Sequence, residues 1–437
     1  MLPEGWRQLR LGELVASLDA GVSVNAEGRP AQLGEMGVLK ISAVTSGTFD
    51  GSQNKAIRHA ELSRAAVNPS ADRILVSRCN TEVLVGASAY VADHFPNLHL
   101  PDKLWQVEPA KQNPPHMRWL SFWLASQATR EKLSSLATGT SGSMKNITKE
   151  QLLAMDVPVP PVLEQRRIAR VLSTWDQAIA ATERLLANSR KQKLALLAAT
   201  LHAAPAINDS GAKSDNGGFP VSVQPGIPNL PPAPIGWRRV RLGDHLREVR
   251  RPVSLKADQK YTLVTVKRAR GGVQQRALLR GAEIKTSSQF HVKSGDFLIS
   301  KRQIVHGACG IVPPELDGAV VSNEYAVIDS DGQIDLDFLR YLSESRYFQQ
   351  TCFHSSIGVH VEKMIFRTER WLAWPFNIPP LARQKRITEI LNAATKEVDL
   401  IDRQLAALKQ EKSALMAQLL TGKRRVRLSE PAGKIVT

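Results

Sequence analysis

Hydrophobic and polar positions along the chain follow two alternating regimes, and each regime occurs twice. In the first regime short apolar runs read as strands: Gly37-Val38-Leu39-Lys40-Ile41-Ser42, Ile74 to Ser77, Tyr261 to Val266 and Phe297 to Ser300. In the same regime Met117 to Leu136 and Leu336 to Phe353 carry apolar residues at helical spacing. A proline-rich stop follows each, Val157-Pro158-Val159-Pro160-Pro161 and Trp374-Pro375 to Pro379-Pro380, a signal for a helix start. The second regime is a 4–3 step of apolar positions. It runs through Ile168, Leu172, Trp175, Ile179, Thr182, Leu186, Ser189, Lys193, Leu196 and Thr200. It runs again through Ile387, Leu391, Ala394, Val398, Ile401, Leu405, Leu408, Lys412, Leu415 and Leu419. Such a step over about five heptads predicts a coiled-coil seam, on helices of about 38 residues and roughly 57 Å.

The alternation is an internal repeat. Pro3-Glu4-Gly5-Trp6-Arg7 returns as Pro234-Ile235-Gly236-Trp237-Arg238, and Arg73 to Arg78 returns as Asp296 to Lys301. Pro160 to Ile168 returns as Pro379 to Ile387. The offset is 231 residues at the tryptophans and 219 at the prolines, so the second copy has the shorter front. Residues Ala203 to Pro234, rich in Pro, Gly, Ser and Asn, read as an exposed linker. Gly422 reads as a helix stop before a basic tail.

Charge narrows the partner. Against 41 acidic residues stand 58 Lys and Arg, a formal net charge of +17, which favours a polyanion. The three cysteines, Cys79, Cys309 and Cys352, are too scattered for a disulfide framework and fit a reducing compartment. The start has no apolar signal core, and no run of about 18 apolar residues predicts a membrane span. Chemistry is missing from the pattern: there is no phosphate-binding Gly-rich loop, no His-Glu-x-x-His and no Pro-Pro-aromatic methyltransferase loop. His354 and His360 lack partners at ligand spacing, and Asp102, Glu108 and Lys111 have the wrong spacing for a nuclease. The expectation is a binding protein without a catalytic site or metal.

Particular residues now carry a family likeness. Gly37 to Ser42, Leu75 to Thr81, Leu100 to Trp105, the doubled Pro-Pro-Leu-type turn into Gln165 and Gln384, and the repeat itself resemble the specificity subunits of Type I restriction–modification systems. Arg383, where the first copy has Glu164, and Thr395, where it has Asp176, depart from the repeat. The resemblance implies an α+β fold with two globular mixed α/β target recognition domains, separated by two long antiparallel coiled-coil helices in pseudo-two-fold symmetry. The boundaries expected are 1–158 and 234–377 for the recognition domains and 159–202 and 378–422 for the helices, with a linker at 203–233 and a basic tail at 423–437.

The implied function is to read a bipartite, asymmetric site on double-stranded DNA in the cytoplasm of a prokaryotic cell. Two adenine-N6 methyltransferase subunits would dock, and two restriction/translocase subunits could join. S-adenosylmethionine, ATP and magnesium belong to those partners; no cofactor is expected on this chain. Two alternatives are a recognition or scaffold subunit of another defence complex, and a fused DNA methyltransferase. On this reading the strand exits contact DNA: Ser77, Arg78, Asn80 and Thr81 in the first copy, and Ser300, Lys301, Arg302, Gln303 and His306 in the second. Lys40, Lys103, Lys145 and Asn146 are added in the first copy, and Lys267, Arg268, Arg270 and Asn323 in the second. Ile168, Leu172, Trp175, Ile179, Leu186, Ile387, Leu391, Val398, Ile401, Leu405 and Leu408 form the helix seam and carry partner docking. Trp6, Trp237, Leu104 and Trp105 are expected to pack rather than stack on bases.

Overall fold

The computed structural model describes residues 2–139, 144–202, 219–220 and 222–426. The chain divides into two units, 1–183 with 403–437 and 184–402. Each holds one α/β lobe and a segment of both long helices.

In the first unit a four-stranded antiparallel sheet forms the centre, in the order Val15–Ala20, Leu104–Pro109, Arg73–Ser77, Ser88–Val91. Arg73–Ser77 sits inside this sheet, and the Ile74, Leu75 and Val76 side chains are fully buried, as an unbroken apolar run requires. Helices Met117–Ala125 and Gln127–Leu136 belong to the same lobe. The periodicity alone reads as one continuous stretch, but Ser126 breaks it: Ser126 is extended (φ −64°, ψ 147°) and its hydroxyl caps the Thr129 amide. The strand expected over Gly37 to Ser42 is likewise shorter. It ends at Leu39, and Ser42–Thr45 forms one helical turn, whose Ala43 and Val44 join a small core with Leu39, Leu75 and Leu100.

The second unit repeats the plan with a larger accessory sheet. Its four-stranded sheet runs Leu246–Val249, Tyr325–Ser330, Phe297–Ser300, Cys309–Ile311, beside a five-stranded sheet containing the hairpin Lys260–Val266 and Val273–Arg280. The stretch Leu336 to Phe353 is also broken, into Leu336–Leu342 and Arg346–His354, because Ser345 caps Phe348.

Each repeat opens with the same turn. Gly5 and Gly236 both have φ +80°, and the Trp6 and Trp237 amides donate back to the Pro3 and Pro234 carbonyls at 3.1 and 2.9 Å. A positive φ at that step favours glycine. The turn buries each tryptophan at 7% exposure. The following strands, Arg7–Arg10 and Arg238–Arg241, pair antiparallel with Asp156–Val159 and Pro375–Ile378.

The long helices are Val162–Leu201 and Leu381–Leu419. A buried glutamine fixes the entry to each. Gln165 accepts from the His116 amide at 2.8 Å and donates to Pro160 O at 2.9 Å. Gln384 accepts from the Asp335 amide at 2.8 Å and donates to Pro379 O at 2.9 Å. In the first unit Asp176 meets Lys412 at 2.5 Å and Glu183 meets Lys409 at 2.7 Å. Numbers rise on one helix as they fall on the other, so the packing there is antiparallel. In the second unit Ser189 donates to Glu397 at 3.2 Å and Arg190 meets Asp402 at 3.0 Å. Ile168, Leu172, Leu186, Ile387, Leu391, Ile401 and Leu405 are buried, and Trp175, Ile179, Val398 and Leu408 are half-buried. Beyond the second helix Gly422 adopts φ +74°, where chain reversal is easiest for glycine. Of the expected linker, residues 203–218 and 221 lie outside the described residues, as does the tail from 427 on; in the described part Val223 is buried and Pro231 O accepts from Arg239 and Asn377, so this part is not an exposed linker. Among the described residues no helix is long and apolar enough to cross a membrane.

Candidate nucleic-acid interface

In the first unit the buried strand Arg73–Ser77 delivers the chain to a polar turn. Ser77 is fully buried; its hydroxyl donates to Cys79 O at 3.1 Å, so it shapes the turn instead of facing outward. Arg78 is held from both sides: its amide donates to Lys103 O at 3.0 Å, and its carbonyl accepts from the Ile147 amide at 2.9 Å. The two-residue strand Cys79–Asn80 then pairs with Lys145–Asn146, setting Lys145 opposite Asn80. Asn80 accepts from the Thr81 amide at 2.8 Å. Arg78, Asn80, Thr81, Lys103, Lys145 and Asn146 are thereby gathered on one turn. Lys40 is not: it follows Gly37–Leu39 of a separate three-stranded sheet and shares no hydrogen bond or ion pair with this set.

Among the described residues no carboxylate forms an ion pair with Arg78, Lys103 or Lys145; Lys145 Nζ donates to Gly139 O at 3.0 Å. Arg78 Nε is shielded from solvent and has no hydrogen-bond partner among the described residues. A guanidinium N–H left unmet at a protein surface turn is a donor in want of an acceptor. Two residues absent from the sequence reading support the turn. Arg130 donates to Val85 O and Val83 O at 2.6 and 3.0 Å, and Ser134 donates to Glu82 O at 2.8 Å, pinning the loop beyond Thr81 to a helix.

The matching turn in the second unit has different chemistry. Lys301 occupies the Arg78 position, with its carbonyl accepting from Phe366 N at 2.9 Å. Its ammonium pairs with Glu248 at 2.8 Å, both side chains 17% exposed. Arg302 forks onto Glu324, with Nη2 at 3.0 Å from Oε1. Arg268 donates to Gln303 and to Glu362, each at 2.7 Å. The hairpin tip bearing Lys267, Arg268 and Arg270 clamps onto this turn: the Ala269 and Arg270 amides donate to His306 O and Gly307 O at 2.8 Å. Ala269 and Arg270 both have positive φ, +53° and +59°. Asn323 is exposed on the turn before Tyr325–Ser330. Ser300 and His306 are buried, like Ser77. His306 Nδ1 lies 2.9 Å from Ser222 Oγ and Nε2 lies 3.3 Å from Glu362. Burial, then the nearby Arg268 charge, hold the His306 pKa below its ordinary value, so its ring is neutral at pH 7.

Nothing in the sequence pattern marks the carboxylates Glu248 and Glu362, which reach this turn only through the fold; Glu324 directly follows Asn323. Glu and Asp accept from the cytosine amino group, so carboxylates are base readers as well as counter-charges.

The comparisons with known proteins bear on the same lobes. Residues 3–188 match the family model described as Type I restriction modification DNA specificity domain. That match covers less than half of the chain and is a likeness of its first repeat to that domain. Among relatives of this family, the chain is 28% identical over 211 residues to the Type I restriction enzyme EcoEI specificity subunit of Escherichia coli, covering 48% of this chain and 34% of that one. It is 24% identical over 314 residues to the MjaVIII specificity subunit of Methanocaldococcus jannaschii, covering 68% of each. The match thus spans about a third of the first relative's length. In fold it resembles the Type I system S subunit from M. genitalium, with TM-score 0.56 at 13% identity, over 95% of this chain and 96% of that one. Among the described residues no three His, Cys, Asp or Glu are grouped to hold a metal ion. The three cysteines are buried and free, and burial pushes the Cys309 thiol up to about 11, far from a reactive thiolate.

Proposed function

We propose that this chain is a Type I restriction–modification specificity subunit, which reads a split, asymmetric sequence on double-stranded DNA, one half through each lobe, and does no bond-making itself. The observation that carries the reading is that equivalent strand exits in the two repeats present unlike sets of side chains. One is cationic and amide-bearing, around Arg78, Asn80 and Lys145. The other interleaves Lys301, Arg302 and Arg268 with Glu248, Glu324 and Glu362. Unlike donor–acceptor patterns on like frames suit unlike half-sites. Of the candidate contacts, Ser77, Ser300 and His306 act as supports beneath the turns.

In this reading the recognition domains are 1–158 and 234–377, and the helices of 159–202 and 378–422 carry the partners. Two methyltransferase subunits dock along the helices and methylate adenine at N6, with restriction/translocase subunits joining them. S-adenosylmethionine, ATP and magnesium are held by those partners. The test is methylation-sensitive sequencing of host DNA with and without this gene. A two-part modified consensus that vanishes on deletion is expected. An unchanged methylome in a strain that expresses the whole system would overturn the reading.

A further inference from the structure

The first repeat also carries a basic groove that DNA reading does not use. It is open, about 490 Å³ in volume, and lined by His116, Arg118, Leu163, Arg166, Arg167 and Arg170 among others. Arg118 is already committed, to Asp176 at 2.7 Å and to the faces of Tyr90 and Phe122. The other three arginines are not: none forms an ion pair with a described carboxylate, Arg166 and Arg170 are exposed, and Arg167 Nη1 is shielded, with no hydrogen-bond partner among the described residues. They sit on the first turns of a 40-residue helix, where the unpaired amides add positive potential.

Position separates this groove from the reading turn. Arg118 stacks on Tyr90, which pairs with Ile74 at the start of Arg73–Ser77, whereas Arg78 follows the end of that strand. Four residue steps along the strand, roughly 13 Å, separate Ile74 from Arg78. Composition separates it from a phosphate track. Leu163 and Val162 beside it are 64% and 43% exposed. Arginine next to exposed aliphatic side chains is the make-up of a protein-binding surface.

The second repeat lacks the feature. The shared glutamine bonds to His116 and Asp335 fix the equivalence. By it, Asp335 and Asp337 replace His116 and Arg118, and Glu389 replaces Arg170. There Arg386 is paired with Glu389 at 3.3 Å and Asp337 lies 3.8 Å from Arg340. A surplus of positive charge in one copy is a balance in the other.

We infer that this groove anchors an acidic segment of one docked partner subunit, a stretch of polypeptide with carboxylates beside an apolar side chain, at the first repeat only. The carboxylates take the Arg166 and Arg170 forks and the free Arg167 N–H, and the apolar side chain covers Leu163. The inference rests on the proposed assembly with two methyltransferase subunits. It makes their two sites unequal, by an ionic contribution that salt screens away.

The test uses the chain co-expressed with its methyltransferase subunit, with stepwise dissociation constants measured by native mass spectrometry and sedimentation. At about 50 mM salt the two constants should differ by about tenfold or more, and at about 500 mM they should converge. Arg166→Glu with Arg170→Glu should remove the gap, Arg166→Gln with Arg170→Gln should narrow it, and Glu389→Arg should narrow it from the other side. Thermal melting of each variant separates lost docking from lost folding. Equal constants at low salt, or a gap unmoved in the folded charge-reversed variant, overturns the inference alone. Charge reversal that weakens DNA binding by the isolated chain, and leaves assembly intact, makes the groove a phosphate site and overturns it too. Failure of any methyltransferase subunit to associate overturns the assembly reading, and this inference with it.

Discussion

Glu164 and Arg383 stand at the same step of the two repeats and solve it differently. The Glu164 side chain is 5% exposed and accepts from Trp6 Nε1 at 3.2 Å and from Arg425 at 2.8 Å. At the equivalent place Arg383 lies over the Trp237 ring at 5.8 Å, and Trp237 Nε1 is buried with no partner among the described residues. Removing Glu164 by substitution with Ala strands the Trp6 N–H and should cost about 1–3 kcal/mol in urea denaturation followed by tryptophan fluorescence. Arg383→Ala strands nothing new and should cost less. The departure at Arg383 was readable in the sequence; its effect on Trp237 was not, since it depends on which atoms meet. At the reading turns, Arg78→Gln should relax one half of the methylated consensus by about 1–3 kcal/mol at a single base position, leaving the other half intact. Glu324→Gln, which frees Arg302, should alter only the opposite half. A consensus unchanged in both variants would put the reading contacts elsewhere.

The elements were legible where one face must be buried over many turns. The 4–3 steps gave both long helices, because an apolar stripe of that length has no other way to leave water. Short elements were less legible. Ser126 ends one helix and caps the next, whereas in the second unit Ser343 ends the helix and Ser345 caps the one that follows, and a serine inside an apolar periodicity gives the two outcomes the same spelling. The strand over Gly37 to Ser42 ended early because Ala43 and Val44 reach the small core better from a helical turn. At this scale the seam is testable one unit at a time. Leu172 belongs to the core with Trp6 and Trp119, and Leu391 to the core with Trp237 and Phe338. Each leucine-to-alanine change should destabilise its own unit by about 2–5 kcal/mol, read by hydrogen exchange of that unit's amides.

For the whole molecule, the proposed function makes helix length a determinant of the DNA spacer. Deleting seven residues from each helix, 180–186 and 403–409, keeps the heptad step and shortens both by roughly 10 Å. That is about three base pairs, and about a third of a turn on a duplex of 10.5 base pairs per turn. The variant should either lose activity or methylate unchanged half-sites across a shorter spacer, as sequencing of modified DNA will report. An original spacer in an active variant would show that helix length is not what sets the distance.

The first unit needs both ends of the chain. Met416, Leu419 and Leu420 share its core with Trp6 and Leu11, and Gly422 packs so near Pro3 that an added Cβ would lie 2.4 Å from the proline ring. The second unit, 184–402, is contiguous. During translation the second unit is therefore finished before the first. The ribosome must add more than two hundred residues after Glu183 before the first unit can close, roughly tens of seconds at about 5–20 residues per second. Throughout that interval the apolar face awaiting Met416 and Leu419 is uncovered in the nascent chain. A chain truncated near residue 403 would hold a complete second unit and a first one left open, a product for chaperones and proteases and not for DNA.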